Sequence, residues 1–158
     1  MNADQLREVI CELYEVRPEA KEYLEFWIDP DIKKESEKYR LRIFKLFFLS
    51  EGRPRKSPDF KGLRTLLKYF STLYVDFENQ VELRLYAFEA YFLWLETRNR
   101  VMSHQKRVES FYKDIEEFID TNRLRESYSL RLQRAQNEFK KLFERGDRRS
   151  HRGWRRWL

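Results

Sequence analysis

The sequence predicts an all-α fold, a single irregular domain of about seven helices around a central aromatic helix at about residues 76–98. Strand signals are scarce, and no Asn-Gly or Asp-Gly hairpin turn occurs. Apolar residues instead recur with helical spacing along the chain. All four prolines lie within the first 58 residues, where short helices are expected, and the length of 158 residues fits one domain.

The first two helices are separated by Pro18, which disfavours helical conformation in Arg17 and suits the first turn of the next helix. The residues expected to face inward are Leu6, Ile10 and Leu13 in the first helix and Ala20, Leu24 and Trp27 in the second. Cys11 lies beside the first of these rows, so we expect a small buried thiol. A single cysteine excludes a disulfide scaffold.

The third and fourth helices begin at acidic residues next to proline. Asp29 with Pro30 predicts the cap and first position of the third helix, and Ser57-Pro58-Asp59 predicts the start of the fourth. The third helix presents Ile32, Tyr39, Ile43 and Leu46 or Phe47 as its inner side, and the fourth presents Phe60, Leu63, Leu67, Phe70 and Leu73. Residues 50–57 between them are predicted to form a loop.

The remaining three helices form the longer second half of the domain. Asp76 caps the fifth helix, whose apolar residues cover almost its whole circumference, so it is predicted to be the buried centre. Ser103 is expected to cap the sixth helix, and Gly146 is expected to end the seventh. The inner rows of these two helices are Val108, Phe111, Tyr112, Ile115, Phe118 and Ile119, and Tyr128, Leu132, Ala135, Phe139 and Leu142. We therefore divide the chain into a helical domain, residues 1–143, and an Arg/Trp-rich tail, residues 144–158.

Charge is distributed unevenly along the chain. The net charge is +6, from 33 Lys and Arg against 27 Asp and Glu. Residues 1–31 hold 3 basic and 9 acidic side chains, a net −6, whereas residues 123–158 hold 12 and 4, a net +8. This asymmetry is typical of proteins that bind a polyanion or that pair acidic and basic segments, within one chain or between chains.

The basic C-terminal region is the principal candidate binding surface. At about 100° per residue, Arg123, Arg134 and Lys141 fall close together on the seventh helix, with Arg131 on the same flank. The candidate residues for a polyanion or a protein partner are Arg123, Arg131, Arg134, Lys141, Arg148, Arg149, Arg152, Trp154, Arg155, Arg156 and Trp157. A secondary basic loop contains Arg53, Arg55, Lys56, Lys61 and Arg64. The acidic segment 1–31 is an alternative partner for these cations inside the chain, and the tail tryptophans could equally dock on the domain.

No catalytic, metal or cofactor motif is present in the sequence. Neither His104 nor His151 follows a glutamate at the spacing of a di-iron carboxylate bundle, and the four glycines are too scattered for a phosphate-binding loop. His104 is expected to be a solvated residue in the first turn of the sixth helix. We therefore predict a protein that is not an enzyme, without cofactor, metal or small-molecule substrate.

The chain start and the most apolar stretch bear on localisation. The N-terminus lacks the basic and apolar regions of a signal peptide. Residues 83–95 are interrupted by Arg84 and Glu89 and are too short to cross a bilayer. A cytoplasmic protein with no transmembrane segment is predicted.

The order of motifs along the chain is similar to that of a known family. The shared motifs are Gln5-Leu6-Arg7, Glu12-Leu13-Tyr14, Lys21-Glu22-Tyr23-Leu24-Glu25-Phe26, Asp29-Pro30, Lys38-Tyr39-Arg40-Leu41-Arg42-Ile43, Leu66-Leu67-Lys68-Tyr69-Phe70, the stretch 83–95, Ser110-Phe111-Tyr112 and Phe118-Ile119. On these motifs the chain resembles, over roughly residues 5–142, a bacterial domain-of-unknown-function family of small all-helical proteins. It departs from the family pattern at Gly52-Arg53-Pro54 and in the Arg/Trp tail. The resemblance implies an all-helical fold and implies no active site.

The sequence thus predicts a helical binding protein that acts through protein–protein interaction, with an unknown protein partner or with copies of itself. The alternative is binding of nucleic acid, single-stranded RNA or DNA, through the basic C-terminal helix and tail. A third possibility for the Arg/Trp tail is an anionic membrane surface.

Overall fold

The described part of the chain forms seven α-helices and a short 3-10 turn. The computed structural model describes residues 2–73 and 75–154, with side chains up to residue 144. The helices are α1 (Ala3–Val16), α2 (Pro18–Ile28), α3 (Ile32–Phe47), α4 (Phe60–Thr72), α5 (Phe77–Arg98), α6 (Gln105–Thr121) and α7 (Arg125–Trp154), with the 3-10 turn Met102–His104 before α6. Within the described ranges the chain has no strand, only an isolated bridge between Phe48 and Pro54. The predicted all-α class is confirmed.

Three helices begin at carboxylate caps. Asp59 accepts a hydrogen bond from the Gly62 amide at 2.8 Å, and Asp76 accepts one from the Asn79 amide at 2.8 Å, as the sequence predicts. For α3 the predicted cap is wrong, because Asp31 and not Asp29 accepts from the helix. Asp29 instead ends α2, where its amide donates to the carbonyl of Glu25 at 3.1 Å.

Two predicted helix boundaries in the second half are also wrong. The Ser103 hydroxyl donates to the carbonyl of Arg100 at 3.0 Å within the 3-10 turn, so it does not cap α6. Gly146 does not end α7, which continues to Trp154. A single glycine inside a helix costs only about 1 kcal/mol, and no proline follows it to stop the helix.

The core is built around α5, which packs against α3, α4 and α6. Ten of its 22 residues are buried, including Phe88, Tyr91 and Trp94, which confirms the predicted central aromatic helix. The indole nitrogen of Trp94 donates to the carbonyl of Arg55 at 2.8 Å and so fixes the loop between α3 and α4. Helix α7 packs on α6, with Tyr128, Leu132 and Leu142 buried as predicted.

Helices α1 and α2 form a hairpin at the edge of this core, and neither contributes a buried residue. Trp27 is 70% exposed and Cys11 is exposed, so the predicted inward Trp27 and buried thiol are both wrong. The reason is the rotation of α2, which turns Glu22 towards α3 and packs Phe26 against the core. Trp27 lies about 100° further round the helix and therefore faces away.

No helix among the described residues is long and apolar enough to cross a membrane.

Candidate functional site

Helix α1 carries an exposed apolar row. Its first turn is fixed by reciprocal hydrogen bonds between Asn2 and Gln5, at 2.8 and 2.9 Å. The row, which we call the α1 face, consists of Leu6, Val9, Ile10 and Leu13 at i, i+3, i+4 and i+7. These four side chains are each 41–45% exposed, so the predicted inward orientation of Leu6, Ile10 and Leu13 is wrong, because α1 packs on α2 at the edge of the domain and not in its core. Single exposed apolar residues are ordinary, but a continuous row is typical of an interaction surface.

The two flanks of the α1 face differ. One flank leads to Tyr14, whose hydroxyl donates to Glu25 of α2 at 3.0 Å and whose ring lies under Lys21. At 100° per residue the other flank leads past Val9 to Glu12 and Glu8, both exposed. Neither glutamate forms an ion pair with any residue in the described ranges. The open side of the α1 face is therefore bordered by free negative charge.

The basic residues predicted on the seventh helix do not form one surface. The structure places Arg131 between two carboxylates of α5, with ion pairs to Glu82 and to Glu89, the latter at 3.3 Å. The Arg131 guanidinium therefore connects α7 to α5 through two ion pairs. The acidic segment 1–31, the alternative partner for these cations inside the chain, does not pair with Arg131.

Arg123 is not on α7 at all. It sits in the left-handed conformation with φ 59° at the end of α6. Its amide donates to the backbone carbonyl of Asp120 at 3.1 Å, and the Leu124 amide donates to the backbone carbonyl of Ile119 at 2.9 Å. These two bonds are the pattern of a Schellman motif. The predicted alignment of Arg123 with Arg134 and Lys141 is therefore wrong, because the two helices are separated by this turn.

The other predicted cations of the C-terminal region are placed only in part. Arg134 and Lys141 are exposed on α7. The backbone of Arg148, Arg149, Arg152 and Trp154 belongs to α7, and their side chains lie outside the described part, as do Arg155, Arg156 and Trp157 entirely. Docking of the tail tryptophans stays a prediction.

The secondary basic loop is divided between different roles. Arg53 pairs with Glu51, and the Arg55 side chain donates to the carbonyl of Lys45 at 2.6 Å. Lys56 is exposed in the loop, whereas Lys61 and Arg64 lie on α4. Of these five residues, only Arg64 also lines the cleft that is described next.

That cleft lies between α4 and α6, has a volume of about 1060 Å³, and is strongly basic. Five cationic side chains and one carboxylate line it: Arg64, Lys68, Arg84, Lys106, Arg107 and Asp114. Sequence reasoning missed it because the cations come from three separate helices. The one local signal was Arg84, a charge inside an otherwise apolar helix.

His104 is half-buried and lines this basic cleft. Its Nδ1 and the Tyr91 hydroxyl are hydrogen-bonded at 2.6 Å, and its ring contacts Trp94 with centroids 5.2 Å apart. Burial, together with the positive charges of Arg107 and Arg100, lowers the pKa of His104. The expected solvated role for His104 is wrong, and the side chain joins the cleft to the core.

Among the described residues, no group of three or more His, Cys, Asp or Glu is placed to hold a metal ion. Comparison of the chain with family models, with curated proteins and with solved structures finds no significant match. The resemblance drawn from the sequence motifs therefore stays a prediction.

Proposed function

We propose that this protein is an all-helical binding protein that acts through protein–protein interaction, and that the α1 face docks a basic amphipathic helix of a partner. The observation that carries the proposal is the exposed row on α1, at 41–45% for each of its four residues. Helices α3 to α7 bury apolar residues in the core, whereas nearly half of each side chain in the α1 face remains exposed and open to a partner.

The geometry of the row suits a helical partner. Apolar anchors at i, i+3, i+4 and i+7 are the pattern by which one helix recognises another. The row lies on a hairpin whose other flank is already covered by α2 through Tyr14. Burying the remaining exposed surface of the four side chains would contribute about 1 kcal/mol per side chain to the binding free energy.

Charge favours a basic occupant. The open flank carries Glu8 and Glu12, and residues 1–31 have a net charge of −6. A partner helix with Lys and Arg beside its apolar row would meet this charge, which would raise the association rate and select against acidic partners.

The test uses two designed helical peptides with the same row of leucines, one with Lys and Arg at the other positions and one with Glu. We expect the full chain to bind the basic peptide with a Kd of about 10 μM or below and the acidic one at least about ten-fold more weakly. Val9→Ser, on the flank away from α2, should weaken basic-peptide binding about five-fold or more.

The matched control is Leu130→Ser, which changes a leucine on α7 that is 71% exposed. It should leave peptide affinity unchanged. Equal binding of both peptides, or no effect of Val9→Ser, would contradict the proposal. Sedimentation experiments show whether the chain self-associates. If it does and the basic peptide does not dissociate that oligomer, the α1 face binds a second copy of the chain, and the proposal is contradicted.

A second candidate function is binding of single-stranded nucleic acid through α7 and the tail. It is supported by Arg134 and Lys141, which are exposed and have no ion pair among the described residues, and by the arginines and tryptophans that follow in the sequence. If about six phosphates are contacted, log K should fall with log [salt] with a slope near −4. Truncation after Phe143 should abolish this binding, and unchanged affinity of the truncated chain would reject it.

A further inference from the structure

We infer that the basic cleft between α4 and α6 is a binding site for an organic phosphate, a phosphate or diphosphate group carried on an apolar body. This inference does not depend on the α1 face. It rests on three observations: the balance of charge in the cleft, the way its arginines are held, and the apolar character of its floor.

The charge in the cleft is not neutralised by the protein itself. Five cationic side chains face a single carboxylate, Asp114. In the part of the chain that the structure describes, neither Arg64, Lys68, Lys106 nor Arg107 forms an ion pair. The first turn of α6 borders the cleft through Lys106 and Arg107, so the positive end of the α6 dipole adds to the same field.

Two of the arginines are held by aromatic rings. The Arg84 guanidinium lies 3.8 Å from the centre of the Phe118 ring, and that of Arg107 lies 4.5 Å from the centre of the Phe60 ring. Stacking fixes a guanidinium plane and leaves its N–H groups free for the oxygens of a phosphate. Both side chains are therefore positioned before any ligand arrives.

Arg84 is the more informative of the two. It is half-buried, and the one hydrogen bond that it forms within the described residues goes to the carbonyl of Gln80 at 3.1 Å. Burial without a carboxylate partner lowers its pKa to about 10. A half-buried cation of this kind is unfavourable unless an anion accompanies it.

Several other arginines of the molecule have carboxylate partners. Arg42 pairs with Glu22, Arg125 with Asp120, and Arg131 with Glu82. Arg84, like Arg40 on the ring of Tyr86, forms no ion pair among the described residues, but only Arg84 of these two lines the cleft.

The floor of the cleft favours an organic body rather than a bare anion. Leu63, Leu67 and Ile115 are buried beneath it, and Phe60 and Phe111 form apolar walls. The volume of about 1060 Å³ is at the upper end of small-molecule sites. Inorganic phosphate would fill a small part of it.

The experiment is calorimetric titration of the full chain with adenosine diphosphate, with an isoprenoid diphosphate and with pyrophosphate. We expect at least one organic diphosphate to bind with 1:1 stoichiometry at a Kd below about 1 mM, and pyrophosphate to bind about ten-fold more weakly. Arg84→Met and Arg107→Ala should each weaken organic-diphosphate binding about ten-fold or more. The matched control Arg134→Ala removes an exposed cation outside the cleft and should change nothing.

Stability separates a ligand role from a structural one. If Arg84 serves a ligand, Arg84→Met should lose binding while its urea midpoint stays the same or rises, because a half-buried charge is replaced by an apolar chain. A lowered midpoint with unchanged affinity would overturn the inference. So would the absence of saturable binding by both organic diphosphates, or pyrophosphate binding as tightly as either.

A nucleic-acid interface is the remaining outcome. A single-stranded oligonucleotide that binds more tightly than the organic diphosphates, and that loses affinity in Arg84→Met, would make the cleft part of a strand-binding surface and would contradict a small-molecule site.

Discussion

Two helices end with the same pattern of hydrogen bonds but place different residues in the left-handed position. Asn99 has φ 50° at the end of α5, and Arg123 has φ 59° at the end of α6. Asparagine tolerates this conformation, whereas for arginine it costs roughly 1 kcal/mol. Arg123→Gly should therefore raise the free energy of unfolding by about 0.5–1 kcal/mol in urea denaturation. Asn99→Gly is the control and should gain less; an equal or larger gain there would contradict this account.

At the same scale, His104 makes stability depend on pH. Its lowered pKa means that the unfolded chain takes up a proton near pH 6.5 that the folded chain resists. The contribution of His104 to the free energy of unfolding is therefore fully present above pH 6.5, and it is lost as the pH falls below that value. Urea midpoints at pH 7.5 and 5.5 should differ less in His104→Gln than in the wild type. The same pH dependence in both proteins would show that His104 does not contribute it.

At the scale of elements, one carboxylate connects α2 to α3. The Oε1 atom of Glu22 lies 2.7 Å from the Nζ of Lys38 and 3.0 Å from the Nη1 of Arg42. Burial raises the pKa of Glu22, but hydrogen bonds and charge from the two cations outweigh it and hold the pKa below its usual range. The contribution to stability is therefore present above about pH 4.5 and is lost as the pH falls through the lowered pKa.

Glu22→Gln should weaken this connection by about 1–2 kcal/mol at pH 7, because the partly buried Arg42 loses its carboxylate and Lys38 loses the nearer of its two, keeping Glu35 at 3.3 Å. Hydrogen exchange should become faster in α1 and α2 and remain unchanged in α5, since the hairpin opens separately from the core. The difference between variant and wild type should disappear below the pKa of Glu22. Faster exchange throughout the chain would mean that the hairpin unfolds together with the core.

At the scale of the whole molecule, the two proposed binding surfaces use different elements. The α1 face belongs to the N-terminal hairpin, and the cleft is formed by side chains of α4, α5, α6 and the 3-10 turn before α6. Because they share no residue, their effects should be independent. Val9→Ser should leave organic-diphosphate affinity unchanged, and Arg84→Met should leave basic-peptide affinity unchanged. A reciprocal loss of affinity would show that the two surfaces are coupled.

Local patterns predicted most of the helices, because caps and apolar spacing act over a few residues. Asp59 and Asp76 begin helices where predicted, and the apolar circumference of α5 indicated its burial. Rotation of a helix about its axis depends on its neighbours, so the sequence did not show that Trp27 would face outward. Asp31 and Asp29 are both suitable caps, and the choice between them depends on where α2 ends.

The candidate site was predicted less well for the same reason. Runs of charge are visible in a sequence, but their partners are not. Arg131 belonged to a predicted basic face and lies between Glu82 and Glu89, which are remote in sequence. The cleft cations Lys68, Arg84 and Arg107 come together only because α4 and α6 both pack against α5.

The most direct test of the proposed function is hydrogen exchange of the full chain with and without the basic helical peptide. A partner helix on the α1 face should slow exchange of the amides in α1, residues 3–16, and leave those of α4 and α6 unchanged, because docking stabilises the hairpin against opening. Protection confined to other helices, or no protection at peptide concentrations that saturate binding, would contradict the assignment of this face.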